Sequence, residues 1–149
     1  MQSQKKVEAF FKILLNLKEL SNCKVNKHTT IIIPRDFSSI LAIGYNGPAR
    51  GIDNNSCTGE DNSNCGCVHA EANALIKLRT EKSNLILLCT KSPCLYCTKL
   101  IINSGQIKVV AYKDTWSKVT TSRALFDEVG ILSTSSFDLV ALLDKGFIP

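Results

Sequence analysis

Two short motifs constrain this chain more than any other feature, because their side chains can act together only if the fold brings them to one point. The first is His69-x-Glu71, and the second, further along the chain, is Pro93-Cys94-x-x-Cys97. One imidazole and two thiols are zinc ligands, and a set of three ligands leaves a coordination position open, as in catalytic zinc sites. The sequence therefore predicts a catalytic Zn²⁺ ion on His69, Cys94 and Cys97. Glu71 is left as a carboxylate that can carry protons.

Each motif alone has a plainer explanation. A Cys-x-x-Cys pair also occurs as a redox motif, and His-x-Glu occurs at ordinary helix starts. Together they favour a catalytic metal site, because a purely structural zinc takes a fourth protein ligand and has no use for Glu71.

Length and composition predict the class of protein. The chain has 149 residues, of which 44% are hydrophobic and 21% are charged, as in one globular domain over residues 1–149 with a sizeable core. No apolar run reaches the ~20 residues of a membrane-spanning helix, and the first residues do not form a signal-peptide core. We therefore expect no membrane partner and a cytoplasmic location, which is the host cytoplasm if the source is viral.

Cysteine content and net charge narrow the class of partner. Seven cysteines is an odd number, and their close spacing beside histidines favours metal binding in a reducing compartment over a disulfide framework. The formal net charge of +5 favours anionic partners such as nucleotides. The sequence has no long run of Lys and Arg interleaved with aromatic residues, so nucleic acid is not an expected partner.

Hydrophobic periodicity predicts helices that alternate with strands. The predicted elements are a helix over residues 7–20, strands over 29–33 and 40–45, a loop to 66, a helix over 68–79, a strand over 84–90, a helix over 95–104, a strand over 107–112, a helix over 121–129, a short strand from 131 and a helix over 137–145. This order predicts an α/β fold with a mostly parallel second half. Both motifs begin helices, where the partial positive charge favours ionised cysteine. Gly105 and Gly130 are expected to end helices.

Three further segments extend the metal motifs. They are Gly-Tyr-Asn-Gly-Pro-Ala-Arg-Gly at 44–51, His-Ala-Glu-Ala-Asn-Ala at 69–74, and Ser-Pro-Cys-Leu-Tyr-Cys at 92–97 followed by Leu-Ile-Ile-Asn-Ser-Gly at 100–105. The His/Glu/Cys core matches the known signature of zinc nucleobase deaminases. With the Gly-Tyr-Asn-Gly segment, residues 21–131 resemble the deoxycytidylate (dCMP) deaminases of the cytidine deaminase-like superfamily. The resemblance implies a three-layer α/β/α cytidine deaminase-like fold with a central mixed sheet of about five strands.

The resemblance also implies a reaction, the hydrolysis of dCMP to dUMP and ammonia, which supplies dUMP for thymidylate synthesis. It places Zn²⁺ on the three ligands named above and makes Glu71 the proton shuttle to N3 and to the leaving amine. By the same analogy, the substrate contacts are Asn46, Ala70, Ser92 and Trp116.

Trp116 departs from the family pattern, in which a tyrosine usually stands at this place. It is predicted either to stack on the base or to belong to the core. Lys118, just beyond it, either reaches the substrate phosphate or is a solvated surface lysine.

Assembly and regulation are implied by the resemblance alone. Family members are commonly hexamers activated by dCTP and inhibited by dTTP, so a homo-oligomer with nucleotide effectors is expected, with Mg²⁺ beside a triphosphate. The matching effector residues are Gly44, Tyr45, Gly47 and Arg50. Glycines let backbone amides approach phosphates and Arg50 can clamp an oxyanion, although loop glycines are more often only turn formers.

The other cysteines fall into two kinds. Cys89 lies in an apolar run and is expected to be a small buried hydrophobe. Some family members carry a second, structural zinc, and the resemblance implies that four cysteines would hold it here, the last two replacing a His and a Glu. These are Cys23, Cys57, Cys65 and Cys67. The alternatives are that His28 replaces one of them, or that they are free thiols in a mobile loop.

Rival functions share this zinc core. A dCTP deaminase, or an enzyme acting on both dCMP and dCTP, differs only in pocket walls that the sequence does not reveal. A tRNA adenosine deaminase is expected to have a more basic surface. A non-catalytic zinc-binding subunit would have no need of Glu71.

Overall fold

A computed structural model of the protein describes residues 2–60 and 65–146. Within them the chain forms five α-helices, a single 3-10 turn at Lys18–Leu20, and seven strands. The helices are α1 Gln2–Leu17, α2 Ala70–Lys77, α3 Leu95–Ser104, α4 Val119–Glu128 and α5 Ser136–Asp144. The strands are β1 Thr29–Ile33, β2 Ala42–Tyr45, β3 Gly47–Pro48, β4 Cys67–Val68, β5 Leu85–Lys91, β6 Ile107–Asp114 and β7 Leu132–Ser135.

Five of these strands form one mixed sheet in the order β2-β1-β5-β6-β7. Strand β1 is antiparallel to both β2 and β5, whereas β5, β6 and β7 are parallel to one another. Each parallel neighbour is reached through a crossover helix, α3 or α4, as parallel pairing requires. The predicted mixed five-stranded sheet with a parallel second half is therefore confirmed.

Alternate residues of β5 face two separate cores. Leu85, Leu87 and Cys89 pack into the core beneath α2, α3 and α4. Ile86 and Leu88 pack into the core beneath α1 and α5. Because successive side chains of a strand point to opposite faces, one strand serves both layers. The three-layer α/β/α arrangement is confirmed, and Cys89 is 1% exposed, as expected of a small buried hydrophobe.

Some predicted boundaries were wrong, and one difference has consequences for the site. The second helix was predicted from residue 68, but it begins at Ala70, because Cys67–Val68 pairs with Gly47–Pro48 as a short antiparallel ladder. This pairing holds His69 in an extended conformation, just outside the helix. The predicted glycine caps are confirmed, since Gly105 and Gly130 have φ of 71° and 75°.

None of the helices in residues 2–60 and 65–146 is both long enough and apolar enough to span a bilayer.

Gly44 determines how closely α2 packs on β2. A Cβ atom built on Gly44 would overlap the carbonyl oxygen of Ala70 and the backbone nitrogen of Ala74. We expect Gly44→Ala to lower the free energy of unfolding by about 1–3 kcal/mol or more, since overpacking must displace helix backbone. Urea denaturation measures this change.

The matched control for that substitution is Gly47→Ala. A Cβ atom there would meet its nearest neighbour, the backbone nitrogen of Asn22, at 3.9 Å, which is ordinary contact. Gly47→Ala is expected to change stability by less than about 0.5 kcal/mol. Equal effects of the two substitutions would contradict the packing role of Gly44.

Candidate active site

The two motifs meet at the N-termini of α2 and α3, where His69 and Cys94 are the N-cap residues. The Nδ1 atom of His69 lies 3.5 Å from Cys94 Sγ and 3.4 Å from Cys97 Sγ. All three candidate ligand atoms lie within 4.8 Å of one another. Tetrahedral zinc with Zn–S of about 2.3 Å and Zn–N of about 2.0 Å places such atoms about 3.5 Å apart. The donor set and its spacing therefore fit a zinc ion.

Charge within this cluster favours a cation. A hydrogen bond from Cys97, followed by one from His69, lowers the pKa of Cys94 to about 4. The pKa of Cys97 is raised, first by its hydrogen bond to Cys94 and then by burial. Two sulfurs this close do not both ionise without a positive charge between them. A metal ion supplies that charge and lets both serve as thiolates.

Glu71 lies in the first turn of α2 and is 8% exposed. It does not belong to the group of His69, Cys94 and Cys97 whose ligand atoms could hold a metal ion. Burial raises the pKa of the Glu71 carboxyl, and the charge of Cys94 acts in the same direction. A buried carboxyl with a raised pKa is suited to accept and return a proton.

A cleft of about 410 Å³ opens over this cluster, within the size range of small-molecule sites. The four predicted substrate contacts all line it, together with Lys118 and three residues of the metal motifs. The lining comprises Cys23, Val25, Asn26, His28, Asn46, Glu60, Cys65, Cys67, His69, Ala70, Glu71, Lys91, Ser92, Cys94, Trp116 and Lys118. Cys97 is not part of the lining and is 0% exposed. The structure thus brings the four predicted substrate contacts together with His69, Glu71 and Cys94 in one cleft, with Cys97 buried behind it.

Trp116 joins the loop after β6 to the start of α3. Its indole Nε1–H donates to the carbonyl oxygen of Pro93 at 2.9 Å, and its backbone N–H donates to Ser92 Oγ at 3.1 Å. The side chain is half-buried and lines the cleft. Stacking of its ring on a base stays a prediction. Its polar edge is used within the protein, so any substrate contact must come from the ring.

Asn46 is almost fully buried and orients a wall of the cleft. Its Oδ1 accepts from Ser21 Oγ at 2.6 Å and from the backbone N–H of His28 at 2.8 Å. Its Nδ2 donates to the carbonyl oxygen of Asn26 at 2.5 Å. These bonds fix the segment 21–28, which supplies Cys23, Val25, Asn26 and His28 to the lining.

The four residues predicted to contact an effector do not line this cleft. Gly44 is buried beneath α2, where close packing accounts for the glycine, and Gly47 is buried in β3. Tyr45 is half-buried with Lys77 Nζ 5.3 Å from its ring centroid, and Arg50 is exposed. An effector role for these residues, with or without Mg²⁺, stays a prediction.

The second cysteine group also converges. The sulfurs of four cysteines lie within 4.8 Å of one another. These are Cys23, Cys57, Cys65 and Cys67. Cys23 Sγ lies 3.9 Å from Cys57 Sγ and 3.8 Å from Cys65 Sγ, and four thiolates on tetrahedral zinc lie about 3.8 Å apart. All seven cysteines are free of disulfides.

This group joins distant parts of the chain. It links the segment after the 3-10 turn, two points of the long loop, and β4; residues 61–64 of that loop lie outside the described residues. A backbone hydrogen bond from Lys24 lowers the pKa of Cys57 to about 6, which favours a thiolate. The four grouped ligand atoms are all cysteine sulfurs, and His28, the predicted alternative ligand, is not among them; its Nδ1 lies 3.3 Å from Thr90 Oγ1.

Four lining residues were missed by the sequence analysis, namely Val25, Asn26, Glu60 and Lys91. His28 was considered only as a metal ligand. Their place in the sequence was the one sign of a shared site, because His28 directly precedes β1 and Lys91 ends β5. Finding them required knowing that β1 and β5 pair antiparallel, which brings these two strand ends together.

Known proteins resemble this chain in sequence and in fold. The family model described as the cytidine and deoxycytidylate deaminase zinc-binding region matches residues 4–113. Deoxycytidylate deaminase of Schizosaccharomyces pombe is 31% identical over 125 residues, covering 74% of this chain and 38% of the yeast protein. That of Saccharomyces cerevisiae is 30% identical over 133 residues, covering 82% of this chain and 42% of the relative. The chain thus spans about two fifths of the length of these two relatives.

A solved structure matches more completely. The crystal structure of dCMP deaminase from the cyanophage S-TIM5 in complex with dCMP and dUMP is 35% identical, with a TM-score of 0.74. The match covers 86% of this chain and 94% of the phage chain. A fold shared at this identity supports the same arrangement of elements around the cleft.

Proposed function

We propose that this chain, which belongs to the cytidine and deoxycytidylate deaminase family, hydrolyses dCMP to dUMP and ammonia. The observation that carries the proposal is the convergence of His69 Nδ1 with two cysteine sulfurs at 3.4 and 3.5 Å, beside the buried Glu71. The phage enzyme whose structure holds dCMP and dUMP supports a pyrimidine nucleotide as substrate.

His69, Cys94 and Cys97 would hold the zinc ion in this proposal. When bound, Zn²⁺ lowers the pKa of a coordinated water towards about 7 and so provides a nucleophile at neutral pH. The three ligands carry two negative charges when both cysteines are ionised, which balances the charge of the ion.

Glu71 moves the protons. Its carboxylate accepts a proton from the attacking water and delivers it to N3 of the cytosine ring as the new C4–O bond forms. Glu71 then takes the remaining proton from the new hydroxyl group on C4 and transfers it to the exocyclic amine, so that the C4=O bond forms, the C4–N bond breaks and ammonia leaves. Burial keeps this carboxylate away from bulk water, so that its protons pass to the substrate.

A second zinc is part of the proposal. The four sulfurs of the other cysteine group match a closed site, which has a structural and not a catalytic role. Three of these cysteines also line the cleft, so this ion would hold one wall of the active site.

A substrate panel tests the proposed function. The zinc-loaded protein is incubated with dCMP, dCTP, CMP and a tRNA anticodon hairpin, and ammonia release is followed. We expect the highest kcat/KM for dCMP. Faster turnover of dCTP, or turnover of the hairpin alone, would assign one of the rival deaminases. No turnover of any cytosine nucleotide by protein that contains zinc would overturn the proposal.

A further inference from the structure

A histidine and a lysine of the cleft lining lie next to each other on two neighbouring segments of the chain. Strands β1 and β5 are antiparallel, with Thr30 opposite Cys89. Continued by two residues, this register places His28 opposite Lys91. Both residues line the cleft that contains Glu71, so they lie beside the candidate metal site without belonging to it.

His28 is held in place from both sides. Its backbone N–H donates to Asn46 Oδ1 at 2.8 Å, and its carbonyl oxygen accepts from the backbone N–H of Asn46 at 3.2 Å. Its ring Nδ1 lies 3.3 Å from Thr90 Oγ1, and Thr90 is 5% exposed. Among the described residues, the other ring nitrogen, Nε2, has no hydrogen-bond partner. A fixed ring with one free nitrogen is preorganised to contact a ligand.

The charges of the lining residues near His28 suit a phosphate. Burial, followed by the charges of Lys91 and His69, lowers the pKa of His28 to about 4, so its ring is neutral at neutral pH. Lys91 and Lys118 are the lysines of the lining, and within residues 2–60 and 65–146 neither forms an ion pair. The carboxylates of the lining are Glu71, at the metal site, and the exposed Glu60.

The number of cations favours one phosphate over three. A phosphate monoester carries a charge of about −1.5 to −2 at pH 7. Lys91 and Lys118 together balance that charge, whereas a triphosphate would bring further negative charge into a cleft that also contains two carboxylates.

We propose that Lys91 and His28 bind the 5′-phosphate of a nucleoside monophosphate whose base lies at Glu71. Lys91 forms a charge-assisted hydrogen bond, and His28 donates a second one from Nε2 in the tautomer whose Nδ1 accepts from Thr90 Oγ1. Lys118, which is exposed, adds favourable charge. This subsite rests on the proposed function, and it makes Lys91 and His28 the residues that select a nucleotide over a nucleoside.

The test compares dCMP with deoxycytidine, which lacks the phosphate. Lys91→Met is expected to lower kcat/KM for dCMP by about 10- to 100-fold, mostly through KM, because a hydrogen bond to a charged group is lost. The same variant should change kcat/KM for deoxycytidine by less than about 3-fold, since the base end of the cleft is untouched. His28→Leu should lower kcat/KM for dCMP by about 2- to 10-fold and spare deoxycytidine.

Two further variants serve as controls. Lys91→Arg keeps the charge and should retain most of the activity on dCMP. Lys108→Met removes an exposed lysine of β6 that does not line the cleft, and it should leave both substrates unaffected. An equal loss on dCMP and deoxycytidine in Lys91→Met, or no loss on dCMP, would overturn the subsite.

Failure of the proposed function is a separate result. If the wild-type protein turns over no cytosine nucleotide, the subsite is decided by calorimetric titration with dUMP and with inorganic phosphate. Binding of both that is weakened by Lys91→Met but not by Lys108→Met supports it. Binding that is the same in all three proteins, or undetectable in the wild type, overturns it.

Discussion

Glu71→Gln is expected to lower kcat for dCMP by about 100- to 10,000-fold, the range lost when a general acid or base is removed. Glutamine keeps the size and the hydrogen-bonding oxygen of the side chain but cannot carry the proton. Bound zinc should be unchanged, because Glu71 is not one of the grouped ligand atoms. Initial-rate kinetics and metal analysis by mass spectrometry on the same preparation measure the two quantities.

The matched control is Glu81→Gln, which makes the same chemical change at an exposed position outside the cleft. It should leave both kcat and zinc content as in the wild type. Near-normal kcat in Glu71→Gln would mean that another group moves the proton. Loss of zinc in that variant would mean that Glu71 helps to hold the ion.

The metal cluster could be predicted because each of its ligands is placed by a short motif at the start of a helix. His69 and Cys94 are N-cap residues, and Cys97 follows Cys94 within one helical turn. Such spacings are visible in the sequence, and βα units bring helix N-termini to the same edge of a sheet. The sequence therefore indicated which side chains converge, although it gave the start of α2 two residues too early.

Other parts of the site depend on contacts between distant segments. Asn46 was predicted only as a substrate contact, but its side-chain hydrogen bonds join it to Ser21, Asn26 and His28. Nothing in a single sequence shows that register. The placement of His28 and Lys91 side by side in the cleft was hidden for the same reason, since it depends on the pairing of β1 with β5.

Gly44 illustrates a different kind of ambiguity. Glycine is used both where backbone must approach a ligand and where two elements pack closely. The sequence pattern matched the first use, whereas the neighbours of Gly44 are backbone atoms of Ala70 and Ala74 in α2. Only the three-dimensional surroundings distinguish these uses.

The cysteine group and the cleft share a wall, so a zinc ion bound by the four cysteines would affect more than the loop. Cys23 belongs to the segment that Asn46 fixes, and its backbone N–H donates to Ser21 Oγ at 3.2 Å. Ser21 Oγ in turn contacts Asn46 Oδ1 at 2.6 Å. The ends of this wall are thus held by hydrogen bonds at Asn46 and by the sulfur group at Cys23. Loss of the ion should loosen the wall as well as the loop.

Cys57→Ser is therefore expected to reduce bound zinc from about two ions per chain to about one, because a closed structural site needs all four ligands. The midpoint of thermal unfolding should fall by about 5 °C or more, since metal binding contributes directly to folding. Metal analysis and differential scanning calorimetry measure these effects. Activity on dCMP should persist below the unfolding temperature with a raised KM, because the catalytic ligands are unaltered.

Cys89→Ala separates zinc loss from general destabilisation. It removes a buried thiol that belongs to neither cysteine group, so it should lower the unfolding midpoint while both ions stay bound. Zinc loss in Cys57→Ser but not in Cys89→Ala would assign the ion to the four-cysteine group. One zinc per chain in the wild type, unchanged by Cys57→Ser, would instead show that those four sulfurs are free thiols. The wall at Cys23 would then be held by hydrogen bonds and packing alone.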